Sequence, residues 1–86
     1  MPEISRFFGI VIKMFWDDHN PPHFHAFYGS EEVLIDINSL SPFAGHLSPR
    51  ALGLVIEWAT LHQRDLLQDW HHAEGKEPLD RIEPLG

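Results

Sequence analysis

The sequence predicts an α+β domain in which an antiparallel sheet of three or four strands carries one long C-terminal helix across a face. Three observations carry this reading. Two short runs alternate polar and apolar residues on either side of Gly29-Ser30; a β-branched and aromatic run, Phe7 to Trp16, precedes them; and apolar residues recur at helical spacing from Pro49 to about Ala73. Eighty-six residues suffice for a single domain spanning 1–86 and are too few for two.

The first run reads FFGIVIKMFW. Phe8, Ile10, Ile12, Met14 and Trp16 alternate with Phe7, Gly9, Val11, Lys13 and Phe15, so apolar side chains fall on both faces, as in an interior strand over about residues 6–16. A buried helix competes, and Gly9 and the β-branched content weigh against it. Asp17 to Pro22 then breaks regular structure, because neither proline can donate to a ladder and each restricts the residue before it.

Residues 23–28 and 31–37 form a hairpin around Gly29-Ser30, with glycine at the first central position as a type II′ turn requires. That turn sets the register: His23 faces Asp36, Phe24 Ile35, His25 Leu34, Ala26 Val33, Phe27 Glu32 and Tyr28 Glu31. One face then collects Phe24, Ala26, Tyr28, Val33 and Ile35. The other collects His23, His25, Phe27, Glu32, Leu34 and Asp36.

Asn38 to Leu47 reads as a loop with room for a short edge strand at Gly45-His46-Leu47. A helix over about 49–73 follows, with Ser48 as N-cap, Pro49 at N1, and Gly75 and Pro78 beyond its end. Its stripe of Leu52, Val55, Ile56, Ala59, Leu66, Leu67 and Trp70, interrupted by Gln63, should pack on the sheet. Leu54, Trp58 and Leu61 fall elsewhere on the helix, either under the C-terminal tail or as a contact for a partner. The tail, 76–86, keeps Leu79, Ile82 and Leu85 at every third position, which suits an extended segment laid on the domain.

Composition narrows the function classes. Thirteen acids against six bases give a formal charge of −7, the wrong sign for neutralising phosphates, so direct nucleic-acid binding is disfavoured. There is no cysteine, hence no disulfide framework and no thiolate metal site. The N-terminus lacks the basic segment of a signal peptide and no apolar run approaches the ~20 residues that span a membrane, so a soluble cytoplasmic protein is expected. A small domain with ten aromatic residues favours association, as a homo-oligomer or with a small partner protein.

Chemistry concentrates in His19-Asn20-Pro21-Pro22-His23-Phe24-His25. His23 and His25 project to one face of a strand, Asp36 lies opposite His23, and His19 and Asp18 can arrive from the preceding loop. His19, His23, His25 and Asp36 thus make a ligand set for a divalent metal such as zinc, although no cofactor is established by sequence. His23, His25 and Asp36 are equally candidates for acid–base catalysis. The plainer alternative is structural, with Asp36 orienting His23 and His25 covering Leu34. Whether the chain is an enzyme stays open, since it has neither a phosphate loop nor a nucleophile elbow, and Lys13 and Arg6 are the nearby bases. His71 and His72 are adjacent on the helix and point apart, where they complement its C-terminal dipole.

Pro2-Glu3-Ile4-Ser5, Phe8-Gly9-Ile10 and Asp17 through Ala26, followed by Pro49-Arg50-Ala51-Leu52, Glu57-Trp58-Ala59 and Ile82-Glu83-Pro84-Leu85, resemble a small bacterial family known as domain of unknown function 4160. The resemblance implies no established activity. It does imply frequent encoding beside another small protein, in the manner of toxin–antitoxin pairs. The expected function is therefore an interaction module of a two-gene regulatory or toxin–antitoxin-like pair, contacting its partner through Leu54, Trp58 and Leu61. The alternative is a metal-binding or hydrolytic, nuclease-like protein using the His19–His25 segment.

Overall fold

Residues 2–86 are described by a computed structural model. Five strands, β1 (Glu3–Phe7), β2 (Ile10–Lys13), β3 (His23–Tyr28), β4 (Glu31–Asp36) and β5 (Pro42–His46), form one antiparallel sheet in sequential order. Two helices follow, α1 (Pro49–Leu61) and α2 (Gln63–Glu74). The architecture is α+β, with more strands than the three or four expected and two helices in place of one.

The apolar run from Phe7 to Trp16 is not one strand. Phe8 and Gly9 both take positive φ, 50° and 80°, and form the two-residue turn of a hairpin in which Phe7 pairs with Ile10. Positive φ at both central positions is the type I′ geometry, whose twist matches that of the flanking strands. Ile4 and Phe7 of β1 and Ile10 and Ile12 of β2 all turn to the core, while Phe8 is exposed at the tip.

Between β3 and β4 all six residue pairs have the register that a Gly29-Ser30 turn dictates, and Gly29 has φ 60°. Phe24, Ala26, Val33 and Ile35 are buried from this hairpin; Tyr28, at its end, is partly exposed. The edge strand β5 begins at Pro42, earlier than the expected Gly45. Gly45 has φ 78°, and a Cβ there would collide with the Glu32 carbonyl. Close approach of the two backbones therefore requires glycine.

The helix expected over 49–73 breaks at His62, whose φ and ψ are −123° and 24°. A straight helix of that length would run about 39 Å over strands about 17–20 Å long. Gln63 marks the break, donating from Nε2 to the Ile37 carbonyl at 2.7 Å and the Asn38 carbonyl at 3.1 Å. The break also rotates the buried stripe. Ala51, Val55, Trp58 and Ala59 of α1 and Leu66, Trp70 and Ala73 of α2 are buried, and Leu52, Ile56 and Leu67 flank them half-buried.

Trp58 is therefore a core residue. It is fully buried, its ring centroid lies 5.4 Å from that of Phe7 and 5.8 Å from that of Phe24, and its Nε1 donates to the Glu83 carbonyl at 2.7 Å. Leu54 packs half-buried against the core and Leu61 stands exposed. Leu54, Trp58 and Leu61 do not form a surface patch, because the C-terminal segment lies over the indole.

Residues 76–86 run without helix or strand over the domain. Ile82 N–H donates to the Ile4 carbonyl at 2.8 Å, Trp16 Nε1 donates to the Glu77 carbonyl at 2.8 Å, and Ile82 is buried. No described helix is long and apolar enough to cross a membrane.

Candidate metal centre

His23 and His25 lie two residues apart on β3, so both rings emerge on the sheet face opposite Phe24 and Ala26. The segment between β2 and β3 brings Asp18 over them and contains a cis Asn20–Pro21 peptide bond. Aromatic rings wall the two imidazoles. Phe15 stands edge-on to His25 at 4.7 Å between centroids, Phe27 stacks beside it at 6.2 Å, and Trp70 and Phe43 lie 5.3 and 5.4 Å from His23.

The hydrogen bonds fix the protons on these rings. His23 Nδ1 lies 2.7 Å from the Pro21 carbonyl, which can only accept, so Nδ1 carries hydrogen. His25 Nδ1 lies 2.9 Å from Glu32 Oε2, and the same follows for an ionised glutamate. Each ring then directs its Nε2 outward, a lone pair when the ring is neutral and an N–H when it is protonated. Both point at a single atom, Asp18 Oδ2, 3.2 Å from His23 Nε2 and 2.9 Å from His25 Nε2.

A hydrogen on Nε2 or a shared cation makes each of these approaches attractive. One divalent cation could be held by all three atoms at once. The separations suit it, since donors bound about 2.0–2.1 Å from one ion stand about 3.0–3.4 Å apart. Two imidazole nitrogens and a carboxylate oxygen form a set that zinc or iron(II) accepts, and the carbonyl and carboxylate behind the rings are the outer partners that orient ligating histidines.

The expected ligands divide. His23 and His25 are in the cluster. Asp36 is not, although it pairs with His23 in the ladder: its Oδ1 accepts from Asn38 N–H at 2.8 Å and Ser39 N–H at 3.0 Å, capping the turn after β4. Aspartate before a turn bonds readily to the backbone two or three residues on. His19 is exposed and its place is taken by its neighbour Asp18. Glu32 is the residue that sequence reasoning left without a role; its signal was its position on the same face as His25, diagonal to it across the hairpin.

The nearby bases are engaged elsewhere. Lys13 Nζ lies 5.1 Å over the Phe27 ring, and Arg6 pairs with Glu3 at 2.8 Å. Hydrogen bonds from Arg6 and Arg81 hold the Glu3 carboxyl down at about 2.

Fold and cluster together define a small α+β domain with a two-histidine, one-carboxylate constellation at the end of its central strand. The chain belongs to the family described as domain of unknown function (DUF4160), whose sequence profile matches residues 9–71, a span that contains Asp18, His23, His25 and Glu32. No curated protein and no solved structure matches the chain.

Proposed function

We propose that this protein is a divalent-metal-binding module, with Asp18 Oδ2, His23 Nε2 and His25 Nε2 as ligands and zinc as the ion its donors fit. The observation that supports it is the convergence of two Nε2 atoms, each on a ring oriented through its Nδ1, on one carboxylate oxygen. Three protein donors leave a position for water, as in zinc sites that perform hydrolysis, whereas closed structural sites use four. Hydrolytic chemistry at a phosphate is less favoured, because Lys13 and Arg6 face Phe27 and Glu3 and the chain carries −7. The interaction-module reading loses the patch it rested on once Trp58 is buried.

The test is zinc titration of the metal-free full chain by calorimetry, with Asp18→Ala, His23→Ala and His25→Ala alongside. Binding that weakens at least about 100-fold in folded Asp18→Ala supports the centre. Unchanged zinc affinity in all three variants would overturn it.

A further inference from the structure

A second group of ligating atoms lies where the C-terminal segment crosses α2. Asp69 of α2 is 1% exposed. Its Oδ1 accepts from Asp80 N–H at 2.9 Å, which brings the tail against the helix, while its Oδ2 has no hydrogen-bond partner among the described residues. One turn on, the buried Nδ1 of His72 is also without a hydrogen-bond partner among the described residues. That nitrogen stands 3.7 Å from Asp69 Oδ1 and 3.9 Å from Asp80 Oδ2, too far for a hydrogen bond to either.

Two orphaned polar atoms in one buried spot call for an explanation. Donors 3.7–3.9 Å apart stand a few tenths of an ångström wider than the about 3.3–3.6 Å between tetrahedral zinc ligands bound at about 2.0–2.2 Å, a gap that a small side-chain shift closes. Two carboxylates and one imidazole again suit zinc.

We propose that Asp69, His72 and Asp80 form a second divalent-cation site, which fastens the C-terminal segment to α2. This site shares no residue with the cluster on β3 and stands or falls without it. Its role is structural: the ion joins a helix to an extended strap that is also tied by backbone hydrogen bonds, by the Trp16 and Trp58 indoles and by the Arg81–Glu3 pair.

The strap contains Lys76 and Arg81, so trypsin reports its detachment. Full-length metal-free protein is digested with and without zinc, and zinc stoichiometry is measured by calorimetry. At zinc ten times its dissociation constant, cleavage after Arg81 should slow about tenfold. Asp80→Asn changes a side chain that is 72% exposed, so the fold is kept. It should lose one zinc equivalent and the protection together, and His72→Gln should do the same. Asp18→Ala should keep the protection. Cleavage that zinc leaves unchanged in the wild type would overturn the proposal, as would full protection in Asp80→Asn and His72→Gln, or its loss in Asp18→Ala, which would assign the effect to the other cluster.

Discussion

His25 and Glu32 meet diagonally across the β3–β4 hairpin, Nδ1 to Oε2 at 2.9 Å, although the residue directly opposite His25 is Leu34. The glutamate fixes which nitrogen of the ring faces Asp18. Removing it frees the ring to rotate and lowers the basicity of Nε2. Glu32→Ala should weaken zinc binding about 10–100-fold with the thermal transition little changed, since Glu32 is exposed on the sheet surface. Calorimetric titration checks this; an unaltered affinity would remove Glu32 from the site.

Asp36 gives the opposite expectation. Its carboxylate holds two backbone N–H groups of the turn after β4 and none of the cluster atoms. Asp36→Ala should cost about 1–2 kcal/mol in urea unfolding and leave zinc affinity as it was. A variant that loses metal at unchanged stability would return Asp36 to the ligand set.

Trp58 should behave as core. Trp58→Ala removes the indole from between Phe7 and Phe24 together with its hydrogen bond to Glu83, at about 3–5 kcal/mol. The milder Trp58→Phe retains most of the packing and should lose about 1–2 kcal/mol. Urea midpoints for both variants measure the difference, and wild-type stability in either would contradict the packing described.

Acid should act through Glu3. Its carboxyl is lowered from 4.5 to about 2 by hydrogen bonds from Arg6 and Arg81, so the folded state holds the ionised form more strongly than the unfolded chain does. The contribution is complete above the unfolded value and fades as pH falls from 4.5 through about 2. Wild type should exceed Glu3→Gln in stability at neutral pH, and the two should converge across that window. Parallel stability curves from neutral pH down to about 2 would show that the pairing has no energetic weight.

The β3–β4 hairpin was legible because two local signals agree: glycine at the turn and a period of two on both sides of it. The turn at Phe8-Gly9 was hidden inside an unbroken apolar run, where both strands bury residues and no polar residue marks the reversal. The break at His62 has neither glycine nor proline; its trace was Gln63 within an apolar stripe, a polar residue that reaches the end of β4. In the candidate site, His23 and His25 follow from strand alternation. Choosing Asp18 over its neighbour His19 depends on the path of an irregular loop, which spacing does not fix. Asp36 had the expected register, yet its Oδ1 accepts from the backbone of the turn that follows instead of joining the cluster.

Every neighbouring pair of strands is consecutive along the chain, so the sheet can form by successive hairpin closures. The strap is different: its Ile82 N–H reaches back to Ile4, across almost the whole sequence. Contacts of such wide separation carry the largest loop-closure entropy and form after the hairpins. Interactions made late stabilise the native state without speeding its formation. The strap thus acts on kinetic lifetime: weakening its grip on Trp16 and Trp58 should steepen loss of the folded population through faster unfolding, while refolding rates in a chevron analysis stay nearly constant.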